Sequence, residues 1–189
     1  MKKVWYAPNK FESYGEEEIQ AVVECLRSGW LAGFGPKSIE FEEKIAKHFG
    51  KKYGVFVNSG SSACLLALAC LQLPKGTKII TPACTFSTTL APIIQLGLIP
   101  VFVDVDLSTY VTNVDEVLAA ITDDVKALML PNLIGNKPDW KAIKEGLAAI
   151  GREDIILIED SADTVTYTFE TDIATTSFYA SHVITAGGS

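Results

Sequence analysis

Three short segments carry residue types that can do chemistry. Asn58-Ser59-Gly60-Ser61-Ser62-Ala63 follows an apolar run and opens a helical one. Successive backbone N–H groups at a helix start point at an anion, and the helix dipole favours negative charge there, so this turn reads as a phosphate cradle with serine hydroxyls as extra donors. A plain serine helix cap fits the same residues. No Walker lysine and no GxGxxG fingerprint accompanies the turn, which weakens nucleotide readings. Ile158-Glu159-Asp160-Ser161-Ala162-Asp163 places carboxylates after four apolar residues, at the C-terminal end of a predicted strand. Open α/β sheets bind ligands at that edge. Asp160 there can hydrogen-bond a protonated ring nitrogen, and Asp163 can reach the same ligand; metal binding or helix capping are the alternatives. Ser177-Phe178-Tyr179-Ala180-Ser181-His182 offers a hydroxyl, two aromatics and a histidine. Histidine as a residue type titrates near neutral pH and serves as a general base, although a lone histidine is more often structural. Phe86, in the loop after a strand, can stack on a flat ring or pack in a core.

The elements that must hold these residues alternate between apolar runs and helical patterns, the signature of an α/β fold with a largely parallel sheet. Strands are predicted at 53–57, 78–81, 100–103, 125–130 and 155–158, with a last β-rich stretch over 175–185. Their continuous apolar character predicts burial on both sheet faces. Helices are predicted at 13–28, capped by Ser13, and at 38–49, 63–73, 86–96, 115–121 and 140–150. Ile19, Val22, Val23 and Leu26 form one predicted inward face of the first. The helix from Ala63 is apolar all round and is expected to be buried, with Cys64 and Cys70 as buried thiols. Pro92 predicts a kink.

The chain has 189 residues, 48% of them hydrophobic, and a net charge of −7. That size buries a real core, and the charge argues against a nucleic-acid footprint. The four cysteines have no metal-site spacing, and no signal peptide precedes the first helix, so a reducing cytoplasm is expected. No apolar run approaches the ~20 residues of a membrane span. His48 sits amid lysines and reads as surface.

Order and spacing together resemble the DegT/DnrJ/EryC1/StrS sugar aminotransferase and dehydratase family of fold-type-I pyridoxal-phosphate (PLP) enzymes. The resemblance runs from about Tyr14 onward. It rests on Gly33-Phe34-Gly35-Pro36 with Ile39-Glu40-Phe41-Glu42, on Val55 to Ala63, on Thr81-Pro82 and Phe86, on Val101-Phe102-Val103-Asp104-Val105, and on the segments at Glu159 and Ser177. It implies a three-layer large domain over 37–189, preceded by a helix and loop segment over 1–36. It also implies that the chain is truncated: the family has a further strand beside Tyr53–Val57 and a C-terminal small domain. Residue by residue, the resemblance implies that Gly60, Ser61 and Ser177 bind the cofactor phosphate, Phe86 stacks on the pyridine ring and Asp160 pairs with the ring nitrogen. The family's usual glutamine is replaced by Asp163, leaving its contact to the ring hydroxyl less secure.

His182 stands where the aminotransferases carry the lysine that binds the cofactor covalently. The NDP-4-keto-6-deoxyhexose 3-dehydratases of the family carry histidine there, and Ser181-His182-Val183-Ile184-Thr185 and Leu133-Ile134-Gly135-Asn136 resemble their segments. No lysine follows Lys144. Imidazole cannot form the Schiff base that an amine forms. The implied activity is therefore removal of the C3 hydroxyl of a nucleotide-linked 4-keto-6-deoxy sugar, with pyridoxamine phosphate (PMP) held noncovalently and His182 as base. An ordinary PLP-dependent sugar aminotransferase and an inactive truncated relative are the alternatives. Glutamate or an iron–sulfur reductase is the implied partner for turnover, and a homodimer the implied assembly.

Overall fold

The computed structural model describes residues 14–30, 34–165 and 167–185. Five parallel strands form one sheet: β1 (Lys78–Pro82), β2 (Ile99–Val103), β3 (Val125–Pro131), β4 (Ile156–Asp160) and β5 (Ile173–Thr175), in the order β2-β1-β3-β4-β5. Among the described residues six α-helices accompany them: α1 (Glu16–Arg27), α2 (Pro36–His48), α3 (Gly60–Ala69), α4 (Ser87–Gln95), α5 (Val114–Ala119) and α6 (Trp140–Ala149).

Side chains alternate across a strand with period two, and here both faces are apolar. Ile80, Leu128, Leu130 and Leu157 pack with Val117, Trp140, Ile143 and Leu147 of α5 and α6. Ile79, Ala127, Met129 and Ile158 pack on the other face with Cys64 and Leu68 of α3 and Ile93 of α4. Each such fully buried aliphatic side chain stabilises the fold by about 1.5–3 kcal/mol. The same alternation sends the last two residues of β4 to opposite faces. Glu159 belongs to the α6 side and Asp160 to the α3–α4 side.

Several expectations are corrected. Tyr53–Val57 is not a strand. Its Phe56 amide donates to Glu42 Oε1 of α2 (2.7 Å), and the Phe56 ring meets Phe41 edge-on at 5.2 Å. A cavity of 620 Å³ lies between this segment and β5, lined by Val55, Ala63, Ala67 and Ile173 among others, so no ladder forms across it. The β-rich stretch at 175–185 is strand only over Ile173–Thr175. Beyond it the chain turns, with the His182 amide bonded to the Tyr179 carbonyl (2.9 Å). Helix α1 starts at Gly15, whose amide is capped by Glu18; Ser13 lies outside the described residues. The expected inward face of α1 is not buried: Ile19, Val22 and Leu26 are exposed. Helix α3 buries Cys64, Ala67 and Leu68 but leaves Leu65 and Leu66 exposed, and Cys70 just after it is exposed too; Leu66 and Cys70 line the cavity. Pro92 sits inside α4 as expected, and His48 is on the surface.

Candidate active site

The C-terminal ends of the parallel strands share one edge, and the sequence-selected residues collect there. Ser59 caps α3: its hydroxyl accepts from the Ser62 amide (3.1 Å), and its carbonyl accepts from the Ala63 amide (3.0 Å). A helix start leaves its first amides without intrahelical partners. This cap uses the Ser62 and Ala63 amides and not those of Gly60 and Ser61, and the Ser61 side chain is exposed. Ser177, two residues past β5, closes the other side. A Cβ built on Gly60 would lie 2.9 Å from the Ser177 Cβ, so only glycine lets the helix start and Ser177 meet. The turn thus offers two amides and two hydroxyls at the positive end of a helix, a donor set suited to a phosphate.

One helical turn further along, Cys64 reaches Asp160. Its thiol lies 3.5 Å from Asp160 Oδ2, and the same oxygen accepts from the Thr89 hydroxyl of α4 at 2.7 Å. Asp160 Oδ1 accepts from the Ala162 amide (3.3 Å). Burial drives the Asp160 pKa up; the hydrogen bonds from Thr89, Ala162 and Cys64 oppose this, while Asp163 adds to it. Burial likewise pushes the Cys64 thiol up to about 12, keeping it a neutral donor. Among the described residues, the partners of Asp160 are hydroxyl, thiol and amide, not a cation. A buried carboxylate so placed favours a cationic ligand, since opposite charge offsets the cost of desolvation.

Phe86 is the residue just before α4 and is 67% exposed, its ring free to cover a ligand at the strand edge. Phe178 is buried, edge-on to Phe41 at 5.0 Å, while Tyr179 beside it is exposed and His182 is half-buried. The Tyr179 amide donates to the Ser177 hydroxyl (3.3 Å), tying the turn to the cradle. His182 Nε2 lies 3.8 Å from Asp163 Oδ1, and the ring meets Tyr179 edge-on at 5.8 Å. His182 Nδ1 is buried without a hydrogen-bond partner, as is the hydroxyl of Thr85 beside Phe86. Asp163 is thus brought to His182. Orphaned polar atoms, a cradle that a Cβ would fill and a carboxylate lacking a cation fit a flat, cationic, phosphate-bearing cofactor.

The chain matches the DegT/DnrJ/EryC1/StrS aminotransferase family over residues 12–189.

It belongs to that family.

The DegT/DnrJ/EryC1/StrS family's fold type I explains the mostly parallel sheet between helical layers. A GDP-4-keto-6-deoxy-D-mannose 3-dehydratase from Escherichia coli O55:H7 is 39% identical over 195 aligned positions, covering 96% of this chain and 49% of that one. The solved E. coli GDP-4-keto-6-deoxy-D-mannose 3-dehydratase with bound hydrated PLP superposes with a TM-score of 0.84 at 33% identity, covering 97% of this chain and 49% of that one. A sugar aminotransferase from Streptococcus pneumoniae in its PLP form superposes at 0.86 with 26% identity, covering 97% and 51%. The chain spans about half the length of these relatives. No helix among the described residues is long and apolar enough to cross a membrane.

Sequence reasoning missed two residues that bond to the end of β4. Thr89 bonds Asp160, and Asn132 pins the end of β4: its amide donates to the Asp160 carbonyl (2.8 Å) and its Nδ2 to Glu159 Oε2 (2.7 Å), while Trp140 Nε1 donates to its Oδ1 (3.0 Å). Thr89 sits in an apolar helix and Asn132 follows a strand, so neither type nor spacing marks them. The metal and capping alternatives for Glu159 find no support. Glu159 is fully buried and takes its hydrogen bonds from Asn132, Ser161 and Thr171.

Proposed function

We propose that this chain is the cofactor-binding part of a PMP-dependent 3-dehydratase acting on a nucleotide-linked 4-keto-6-deoxy sugar. The feature that carries the reading is His182, which the resemblance sets at the position of the family's lysine; its Nε2 lies 3.8 Å from Asp163 Oδ1, and its buried Nδ1 has no hydrogen-bond partner. When bound, the cofactor supplies an amine that condenses with the 4-keto group and a protonated pyridine ring that accepts an electron pair.

The chain's own residues do the rest. The Gly60 and Ser61 amides and the Ser61 and Ser177 hydroxyls hold the phosphate, with the α3 dipole behind them. Phe86 covers one ring face. Asp160 keeps the ring nitrogen protonated, and burial makes that pairing stronger than it would be in water. Asp163 Oδ1 lies 3.8 Å from His182 Nε2, and Nδ1, without a hydrogen-bond partner, takes the proton whose loss drives departure of the C3 hydroxyl. Such a base contributes about 10²–10⁴-fold. Asp163 orients the ring, in place of the ring-hydroxyl contact of the family's glutamine. Regeneration of the amine by glutamate or an iron–sulfur reductase, assembly as a homodimer and a cytoplasmic setting are parts of the same proposal.

The test is to give the full-length protein PMP and a nucleotide-linked 4-keto-6-deoxy sugar and follow the sugar by mass spectrometry. Loss of the C3 oxygen is the expected result. Clean amino transfer with the oxygen retained would overturn the proposal in favour of an aminotransferase.

A further inference from the structure

Helix α4 enters the site twice. Phe86 lies just before its first residue, and Thr89, three positions on, is fully buried with its hydroxyl 2.7 Å from Asp160 Oδ2. Residues three apart share one helix face, so the ring-covering side chain and the carboxylate's closest donor are set by one rigid element. A buried threonine hydroxyl in a helix usually bonds back to a carbonyl of the preceding turn. Here it is spent on a carboxylate from another element. The Cys64 thiol meets the same oxygen from α3, and the Ala162 amide meets Oδ1. Three donors from three elements therefore fix both the rotation of the carboxylate and the oxygen that remains least occupied.

We propose that Thr89 is the positioning residue for Asp160: its hydroxyl clamps Oδ2 and so aims Oδ1 at the ring nitrogen of a bound pyridine cofactor. The inference rests on the cofactor reading above for the ligand, and on the hydrogen bond alone for the clamp. The ionisable groups facing Asp160 are the Cys64 thiol from α3 and the Asp163 carboxylate from the turn after β4. Glu159 points to the opposite sheet face, and α4 carries no ionisable side chain. Thr89 is thus the strongest neutral donor holding the charged form, by its short distance.

The experiment compares wild type, Thr89→Val and Thr89→Ser. Valine keeps the shape and removes the hydroxyl; serine keeps the hydroxyl. First, the Asp160 carboxyl is titrated in the cofactor-free protein by ¹³Cγ NMR of aspartate-labelled samples. Thr89→Val is expected to move its midpoint upward by about one pH unit, the size of one hydrogen bond to a charged group, and Thr89→Ser to leave it nearly unmoved. Second, PMP affinity at neutral pH is measured by absorbance. Thr89→Val is expected to weaken it about tenfold, and Thr89→Ser by less than about twofold. An unmoved midpoint in Thr89→Val overturns the clamp whatever the affinity does. A moved midpoint with no PMP binding in any variant upholds the clamp and sinks the cofactor reading instead. A merely structural threonine would lower the melting temperature without moving the midpoint, and that outcome also overturns the proposal.

Discussion

Asp160 is the residue on which both the electrostatics and the chemistry turn. Its folded pKa is raised above its unfolded value, chiefly by burial. A carboxyl raised in the native state binds more protons there than in the unfolded chain, so its contribution to stability is fully present below the unfolded value near 4 and is lost as pH rises through the folded value. Wherever Asp160 is ionised without a ligand its buried charge is a cost, which a cationic ligand offsets. Asp160→Asn should therefore stabilise the cofactor-free protein at neutral pH, by about 1–3 kcal/mol, with the gain vanishing near pH 4. Urea unfolding at the two pH values checks this. The same variant should lose most PMP affinity. Gly60 carries the second prediction at this scale. Gly60→Ala puts a methyl 2.9 Å from the Ser177 Cβ, so the helix start and Ser177 must part. Overpacking of this kind costs about 1–3 kcal/mol, and the cradle should lose anion affinity, measurable as weaker binding of pyridoxamine phosphate with binding of pyridoxamine unchanged.

Among the elements, β4 and its surroundings determine whether the site is held. Glu159 is fully buried and bonded to Asn132 Nδ2 (2.7 Å), the Ser161 hydroxyl (3.2 Å) and the Thr171 hydroxyl (2.8 Å). Thr171 is in turn bonded by Lys51 Nζ (2.7 Å), whose own pKa is lowered by burial. Removing one donor from such a network leaves a buried acceptor unpaired. Thr171→Val should destabilise the fold by about 1–3 kcal/mol, read as a lower urea midpoint with an unchanged slope. Legibility in the sequence also divides by element. Strands β1, β3 and β4 were readable as apolar runs buried on both faces, and Ile79 and Ile80 illustrate why: one packs against α3 and α4, the other against α5 and α6; the edge strand β2 is equally apolar but leaves Ile99 and Phe102 exposed, against the expectation of two-sided burial. The 53–57 segment has the same apolar character yet makes no ladder, because pairing depends on a neighbour that local sequence does not encode. The 175–185 stretch failed for a related reason. Its β-branched residues satisfy strand propensity, but Phe178 docks on Phe41 and the chain turns at Tyr179. The resemblance marked the residues proposed to face the ligand, whereas Thr89 and Asn132 touch the site only through Asp160 and Glu159 and leave no pattern.

Over the whole molecule, the notable feature is how much apolar surface stays open on one side. Tyr53, Val55 and Phe56 are exposed on one wall of the 620 Å³ cavity, and β5 forms the other with its outer edge unpaired among the described residues. Open strand edges beside apolar surface pair with other chains. The 189-residue protein should self-associate as its concentration rises, with the mean mass in sedimentation increasing accordingly. Val55→Lys, a charge placed on a half-open wall, should reduce that association without lowering the melting temperature. A monomer at all concentrations would contradict this picture of the surface.

The account stands on the imidazole at position 182 leaving the cofactor untethered. Reduction of the full-length protein with borohydride in the presence of PLP, followed by intact and peptide mass measurement, tests this most directly. Wild type should carry no pyridoxyl group at any lysine, while His182→Lys, with an amine in place of the imidazole, should carry one at position 182. A stoichiometric pyridoxyl group on a lysine of the wild-type protein, or none on the His182→Lys variant, would contradict it.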